Sequence, residues 1–281
     1  MPAIEVSGST ALVTGAAGGM GEHIARLLAE RGADIVVVDR DAVGLTRVAD
    51  AIRAAGDATV HDYVVDLADR SATDAMIDRI MGQHPDVNLP FNNAGVALGG
   101  RFGQVPAADF DWLLEINLLA PIRITRAFLP GMLARGNAQV VNTSSLFGLV
   151  GPAGQTAYST SKFGLRGFSE SLRSELEADG SDVGVTVVHP GGIRTNIAVN
   201  ARIADGVDPL EAARIQAHFA RMLSYPAAKA AQEIVDAAVA RRPRLVIGAD
   251  AKVLDVLARS NPWGYWSYLE RGMKLAGAVR R

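Results

Sequence analysis

The sequence contains no cysteine among its 281 residues. This absence excludes thiol catalysis, zinc sites built from thiolates, and disulfide bonds. An excess of positive charge is missing too, since 28 basic and 30 acidic side chains leave a formal net charge of −2. A nucleic-acid-binding domain usually carries a basic face, so we expect no nucleic-acid partner.

Long apolar runs are also missing. No stretch approaches the ~20 apolar residues that a membrane-spanning helix requires, and residues 1–10 lack the positively charged start of a signal peptide. We therefore expect no transmembrane segment and a cytoplasmic location.

Histidine pairs with the spacing of metal ligands are absent, so we expect no metal site. We interpret His189, which precedes Pro190 at a strand end, as serving the backbone or a cofactor pocket. The five histidines are His23, His61, His84, His189 and His218.

Short runs rich in valine and isoleucine alternate with longer stretches of helical periodicity, such as Met20–Arg31 and Tyr158–Ala178. Parallel strands need helix-sized connections, so the alternation indicates a parallel sheet. We predict one α/β domain over residues 1–281, a doubly wound parallel sheet of about seven strands with helices on both faces. The predicted strands are Thr10–Thr14, Ile35–Asp39, Ala58–Val65, Val87–Asn92, Gln139–Ser144, Val183–Val188 and Arg244–Ile247.

Two regions depart from this alternation. Residues 192–226 form a long insertion after the sixth predicted strand, and long insertions of this kind often act as substrate lids. Residues 250–281 form a C-terminal extension with an aromatic cluster at Trp263–Tyr268. Aromatic side chains favour interfaces, so we expect the cluster to be a subunit contact; a substrate-pocket wall and a membrane-surface anchor are the alternatives.

A glycine-rich segment, Thr14–Gly21, follows the first predicted strand and opens a helix. Glycines let the backbone turn tightly and let a pyrophosphate approach main-chain N–H groups, while the helix N-terminus favours its negative charge. The pattern is T-G-x-x-x-G-x-G. It predicts a dinucleotide site, with a flexible turn as the alternative.

Asp39 ends the second predicted strand, 18 residues beyond Gly21. This is close to the ~20-residue spacing of the acidic group that binds an adenosine ribose. A carboxylate there accepts hydrogen bonds from the ribose hydroxyls and repels a 2′-phosphate, so NAD is the predicted cofactor. Arg40 keeps NADP open as the alternative, because a guanidinium could bind that phosphate.

Tyr158 and Lys162 lie one helical turn apart, so their side chains share a face. A free tyrosine has a pKa of ~10 and is a weak base at neutral pH, but a nearby cation favours the phenolate. Ser145 follows the fifth predicted strand, where it could bind a substrate carbonyl or cap a turn. Asn117 is a polar residue in an apolar helical stretch, for which a local backbone hydrogen bond is the simplest explanation.

In this order and spacing, the motifs resemble the short-chain dehydrogenase/reductase family. The resemblance covers Ser9 to Ile247 and includes Asn92–Gly95, Asp66–Leu67 and Pro190–Thr195. It implies a Rossmann-like domain, oxidoreductase activity, and a homodimer or homotetramer.

The chain departs from the family pattern at two places. Pro90 and Phe91 replace the more usual small aliphatic residues. Gly18 stands where members that prefer NADP often carry a basic residue, which supports NAD.

The resemblance implies roles for the matching residues. Tyr158 is the expected general acid/base, and Lys162 is expected to lower its pKa and to bind the nicotinamide ribose. Ser145 would orient the substrate oxygen, and Asn117 would hold a water of the proton relay. The residues expected to bind the cofactor are Gly15, Gly19, Met20, Gly21, Asp39, Arg40, Asp66, Leu67, Asn93, Ala94, Gly95, Tyr158, Lys162, Pro190, Gly191, Ile193 and Thr195.

The predicted function is therefore reversible hydride transfer between NAD and a secondary alcohol or ketone. Apolar residues in the insertion favour a lipophilic small-molecule substrate. Two alternatives stay open: reduction of carrier-bound 3-oxoacyl groups, and a dinucleotide-binding sensor that never turns over. The apolar residues are Ile193, Ile197, Val199, Ile203, Phe219, Met222 and Leu223.

Overall fold

The computed structural model describes residues 2–267, apart from the side chains at several positions between 209 and 222. Its strands, numbered in chain order, are β1 (Thr10–Thr14), β2 (Asp34–Asp39), β3 (Val60–Val64), β4 (Val87–Asn92), β5 (Leu98–Gly99), β6 (Ala138–Thr143), β7 (Val183–Pro190), β8 (Ile193–Arg194), β9 (Arg202–Ile203), β10 (Tyr225–Pro226) and β11 (Arg244–Ile247).

The connections between these strands are mostly helical. A π-helical turn, Glu115–Leu119, joins the fourth and fifth helices, and a 3-10 turn, Leu146–Gly148, follows β6. The α-helices are α1 (Gly19–Glu30), α2 (Ala42–Ala55), α3 (Arg70–Gln83), α4 (Ala107–Leu114), α5 (Ala120–Arg135), α6 (Thr156–Ala178), α7 (Pro209–Met222), α8 (Ala227–Val239) and α9 (Ala249–Ser260).

In the described part of the chain, one seven-stranded sheet runs in the order β11-β7-β6-β4-β1-β2-β3, and every pairing is parallel. This sheet confirms the predicted fold class. The strand β7 continues to Pro190, beyond the predicted end at Val188. The reason is the edge strand β11, which pairs His189 with Val246 and Pro190 with Ile247.

The sheet is covered on both faces, as its apolar strands predict. Successive residues of β1 show this, because Ala11 and Val13 pack under α1, α2 and α8. Leu12, between them, packs on the opposite face with side chains of α3, α5 and α6. Gly32 has a φ of +84°, a left-handed conformation that glycine adopts without strain, and lies just beyond the end of α1.

The seam between β4 and its neighbours is irregular. Pro90 has no N–H to donate to a neighbouring strand, and the described pairs between β4 and β6 are Phe91 with Val141 and Asn92 with Asn142. Next to β1, the register shifts at Asn88, whose side chain instead accepts the Thr10 N–H at 3.0 Å. Backbone pairing of β4 with β6 is thus concentrated at the carboxyl end.

The predicted lid, residues 192–226, folds back onto the body through short strands. Strands β8 and β10, which lie at the two ends of this segment, pair with each other. Strand β9, which lies between them in the segment, pairs with β5. The predicted C-terminal extension begins within α9, which ends at Ser260. Within residues 2–267, no helix is both long and apolar enough to cross a bilayer.

The aromatic residues of the extension differ in their surroundings. The hydroxyl of Tyr265 accepts the Gly151 N–H at 3.0 Å, and its ring packs beside Leu146. Trp263 is 98% exposed. The subunit contact expected of this cluster stays a prediction, and Tyr268 lies outside the described residues.

Candidate active site

A cavity of about 420 Å³ lies at the carboxyl ends of the central strands. In parallel sheets the crevice forms at this edge, where the strand order reverses beside β1. Two of the predicted site residues, Asn117 and Gly21, do not line it. Those that do are Gly15, Gly19, Met20, Asp39, Arg40, Asp66, Leu67, Asn93, Ala94, Gly95, Ser145, Tyr158, Lys162, Pro190, Gly191, Ile193 and Thr195.

The glycine loop forms one wall and depends on close backbone approach. Gly15 has a φ of +69°, and a Cβ there would come within 2.8 Å of the Ala94 Cα. Gly19 has a φ of +58°, and a Cβ there would come within 3.2 Å of the Thr195 Cγ2. Gly21 lies beneath the loop, where a Cβ would collide with the Gly15 carbonyl oxygen. Gly21 therefore shapes the loop from below.

Thr14 ties this loop to the segment after β4. Its hydroxyl oxygen accepts the N–H groups of Asn93 at 3.1 Å and of Ala94 at 3.0 Å. The Asn93 amide in turn donates to the Thr14 carbonyl at 3.2 Å. Two walls of the cavity are thus joined by three hydrogen bonds.

Asp39 lies in the cavity wall beside Arg40. One carboxylate oxygen accepts the Ala17 N–H at 3.0 Å, and the other accepts the Asp41 N–H at 3.0 Å. These contacts hold the carboxylate at the end of β2, and they leave further lone pairs for a ligand.

Helix α6 brings Tyr158 and Lys162 to the same side of the cavity. Both side chains are buried, with 9% of Tyr158 and 3% of Lys162 exposed. The Lys162 ammonium donates to the Thr143 carbonyl at 2.9 Å and lies 5.8 Å from the centre of the Tyr158 ring. The predicted pair therefore meets beside the end of β6.

The pKa of Tyr158 differs from the sequence-based expectation. Burial raises the pKa of the phenol, and a hydrogen bond with the Ser145 hydroxyl opposes this only in part. Burial also lowers the pKa of Lys162 to about 8. The net direction at Tyr158 is therefore opposite to a lowered pKa, because removal of the charged form from water dominates there. The lowering contribution expected of Lys162 stays a prediction.

The sequence left two roles open for Ser145, capping a turn and binding a substrate carbonyl, and its position is compatible with both. Its hydroxyl oxygen accepts the Phe147 N–H at 3.1 Å and so caps the 3-10 turn. The same hydroxyl hydrogen-bonds Tyr158. A substrate oxygen beside both hydroxyls could therefore be held and protonated at one place.

Asn117 lies behind the cavity, within the π-helical turn. Its amide clamps the Val96 peptide, accepting the N–H and donating to the carbonyl oxygen, both at 2.9 Å. It also donates to the Ser161 hydroxyl at 3.3 Å. The local backbone bond expected for Asn117 was wrong, because a π-turn points this side chain across to a different segment.

A second, smaller cavity of about 100 Å³ adjoins the first. The two share Ser145 and Tyr158. Val199, by contrast, is 66% exposed and lines neither cavity, and the side chains of Phe219 and Met222 lie outside the described set. The apolar residues of the smaller cavity are Ala97, Leu98, Leu146, Phe147, Ile197, Ala198, Ala201, Ile203 and Leu223.

Asp250 in the first turn of α9 is a site residue that the sequence analysis missed. It lines the smaller cavity, and its carboxylate accepts the Gly192 N–H at 2.8 Å. A Cβ at Gly191 or at Gly248 would collide with this carboxylate. The sequence feature that could have identified Asp250 is its position just after β11, at the same edge of the sheet as the other site residues.

A nicotinamide dinucleotide fits the residues present. The larger cavity carries a glycine cradle that a side chain at Gly15 would obstruct, and an acidic group at the end of β2. Among residues 2–267, no group of three or more histidine, aspartate and glutamate side chains is placed to hold a metal ion.

Comparisons with known proteins agree with this geometry. A family model described as short chain dehydrogenase matches residues 9–205. The chain is 38% identical over 253 residues to SadH of Mycobacterium tuberculosis, and the match covers 90% of each protein. SadH is itself only provisionally assigned as an oxidoreductase. The ketoacyl reductase HetN of Nostoc is 34% identical over 200 residues, 71% of this chain and 69% of HetN.

Solved structures similar to this one are also short-chain dehydrogenases. A short-chain dehydrogenase/reductase of Burkholderia phymatum in complex with NAD has a TM-score of 0.82 and 28% identity, and the match covers 92% of this chain and 95% of that one. A short-chain dehydrogenase of Sphingobium yanoikuyae in complex with NADPH has a TM-score of 0.74 and 26% identity, with 97% of each chain covered. The protein therefore belongs to the short-chain dehydrogenase/reductase family of oxidoreductases.

Proposed function

We propose that the protein is an NAD-dependent oxidoreductase that interconverts a lipophilic secondary alcohol and the corresponding ketone. The observation that carries this proposal is the position of Ser145 and Tyr158, which line both cavities. The proton-transferring groups thus stand between the larger cavity, which carries the glycine cradle, and a smaller apolar one.

Tyr158 supplies and removes the proton of the substrate oxygen. Because burial raises its pKa, the phenol is protonated at neutral pH and ready to donate to a ketone. In the opposite direction it must first lose its proton, so we expect alcohol oxidation to accelerate as the pH rises. A bound nicotinamide supplies the hydride acceptor or donor.

Ser145 and Lys162 support this proton transfer. The Ser145 hydroxyl bonds the phenol and can hold the substrate oxygen beside it. Lys162, anchored on the Thr143 carbonyl, places a positive charge near the phenolate that oxidation requires. Asn117 acts by holding Val96, a wall residue of the larger cavity.

The proposal is tested with a panel of secondary alcohols and ketones, monitored by nicotinamide absorbance. We expect lipophilic substrates to be preferred over small polyols, and Tyr158→Phe to lower kcat at least ~10³-fold while dinucleotide binding persists. Turnover of small hydrophilic polyols in preference to bulky alcohols would contradict the lipophilic assignment. An unchanged rate in Tyr158→Phe would contradict the mechanism.

The choice of NAD rests on Asp39. Its carboxylate stands in the wall of the larger cavity, where it would repel a 2′-phosphate. In Asp39→Asn the remaining side-chain oxygen can still accept the Ala17 N–H, so the contact with the glycine loop is kept, while the charge and the contact with the Asp41 N–H are lost. We expect the ratio of kcat/KM for NAD to that for NADP to fall at least ~10-fold. The exposed Asp57→Asn serves as the control, and an unchanged ratio in Asp39→Asn would overturn the assignment.

Reduction of 3-oxoacyl groups is the second candidate, favoured by the likeness to the ketoacyl reductase HetN. It predicts that 3-oxoacyl thioesters are reduced faster than simple ketones of equal chain length. The same panel distinguishes the two functions when it includes both compound classes.

A further inference from the structure

His189 is a buried titratable residue that the proposed chemistry leaves unused. It is the penultimate residue of β7, with 0% of its surface exposed. The next two residues, Pro190 and Gly191, line the dinucleotide cavity. A histidine can occupy such a place at low cost only if its ring nitrogens are satisfied or neutral.

The ring contacts the catalytic serine through its backbone. Nδ1 of His189 lies 3.0 Å from the carbonyl oxygen of Ser145. A carbonyl oxygen can only accept, so Nδ1 carries the hydrogen and donates it. The Gly148 N–H donates to the same oxygen at 2.9 Å, which closes the 3-10 turn.

The surroundings of Nε2, the other ring nitrogen, indicate that the His189 imidazole is neutral. Nε2 is buried and has no hydrogen-bond partner among the described residues. Protonation there would place a cation without a counter-ion inside the fold, and burial lowers the pKa of His189 to about 4. Of the charged groups that act on the ring, Arg244 of β11 and Arg166 of α6 oppose protonation, and Glu170 of α6 favours it.

The contact fixes the part of the chain that aims the Ser145 hydroxyl. On the preceding residue, Ser144, the N–H donates to the Val188 carbonyl at 2.8 Å, and the hydroxyl donates to the Lys162 carbonyl at 2.8 Å. His189 secures the peptide plane on the other side of Ser145. The Cα–Cβ bond of Ser145 therefore leaves a backbone that is held on both sides.

We propose that His189 is a positioning residue, which as a neutral imidazole protonated on Nδ1 holds the Ser145 peptide and so directs the Ser145 hydroxyl toward Tyr158. It also links the dinucleotide wall at Pro190 to the serine. This role rests on the proposed function for its kinetic consequence and on the geometry alone for its protonation state.

Two substitutions of matched shape test the kinetic consequence. In His189→Asn the side-chain amide can still donate from the place of Nδ1, whereas His189→Leu keeps the bulk and removes the donor. We expect kcat to fall about 10- to 100-fold in His189→Leu and to stay within about 3-fold in His189→Asn, with the NAD dissociation constant unchanged in both. Equal kcat in both variants, or an equal loss of NAD binding and kcat, would overturn the proposal.

Nitrogen NMR of the imidazole tests the protonation state without turnover. We expect a hydrogen on Nδ1, a bare Nε2, and no titration of the ring between about pH 5 and pH 8. A hydrogen on Nε2, or a midpoint near the ordinary histidine pKa, would overturn the proposal even if His189→Leu failed to fold. If the wild type turned over no alcohol or ketone, the proposed function would fail, and the NMR result would still decide the state of His189.

Discussion

The two adjoining cavities are built by different means. The larger one is walled by residues that directly follow strands, and its walls are joined by backbone-directed bonds such as those of Thr14 with Asn93 and Ala94. About half of the lining of the smaller one comes from the predicted lid, residues 192–226, whose strand β9 pairs with β5 by two residues, and Asp250 of α9 adds to it.

Because of this difference, we expect the larger cavity to be common to proteins of this fold and the smaller cavity to be specific to this chain. Residues at strand ends are fixed by the sheet itself, so the larger cavity follows from the fold. The smaller cavity depends on a long connection whose path is set by a few contacts, such as Arg202 stacked 3.6 Å from the Trp112 ring and paired with Asp109 at 2.8 Å. Loops of this kind are where specificity varies on a common scaffold.

The largest expected effect concerns the glycine loop. In Gly21→Ala the new methyl group would collide with the Gly15 carbonyl oxygen, whereas at Gly18 a Cβ meets no atom within 4 Å. We expect Gly21→Ala to lose about 3 kcal/mol of unfolding free energy and all measurable NAD binding. Gly18→Ala, the matched control, should unfold at nearly the wild-type temperature. Similar melting temperatures for both variants would show that the loop tolerates the extra volume.

An intermediate effect is expected in the smaller cavity. Ala201 lines it, while Val199 in the same segment is exposed and lines neither cavity. Ala201→Phe should raise the KM of the best lipophilic substrate about 10- to 100-fold and leave the NAD dissociation constant unchanged. Val199→Phe should change neither constant. A loss of NAD binding in Ala201→Phe would mean that the two cavities are not separable.

The smallest effect is expected at the rim of the larger cavity. The Arg47 guanidinium, followed by Arg26, holds the pKa of Glu22 at about 2, and Arg47 also donates to the Ala17 carbonyl at 3.1 Å. The lowered pKa stabilises the fold fully above the ordinary value of 4.5, and this contribution is lost as the pH falls toward 2. Because Arg47 is half exposed, we expect Glu22→Gln to cost about 1 kcal/mol at neutral pH.

Urea denaturation across the pH range measures this contribution. The difference between wild type and Glu22→Gln should shrink below the ordinary glutamate pKa. Glu177→Gln, which removes an exposed ion pair with Arg173, should cost less than about 0.5 kcal/mol. A constant difference for Glu22→Gln at every pH would assign the loss to packing.

The sequence predicted the sheet because its signal is local. Apolar strands and helical stretches alternate from Thr10 to Ile247, apart from the insertion at residues 192–226, and strand ends moved by only one or two residues. The predicted placement of Tyr158 beside Lys162 had the same basis, since one helical turn fixes their relative direction.

Other features depend on contacts between distant segments. The π-turn that sends Asn117 to Val96 leaves no periodicity to detect, and the raised pKa of Tyr158 follows from burial that spacing does not reveal. Asp250 was missed because its partners, Gly191 and Gly192, are far away in the chain.

The uneven seam of β4 has a consequence for how the sheet moves. Its described pairs with β6 involve Phe91 and Asn92, at the end next to the reaction site, while Pro90 interrupts the pairing behind them. Thermal opening between these strands should therefore start at the end remote from Tyr158. We therefore expect amide hydrogens at the amino end of this seam to exchange faster than those at Phe91 and Asn92.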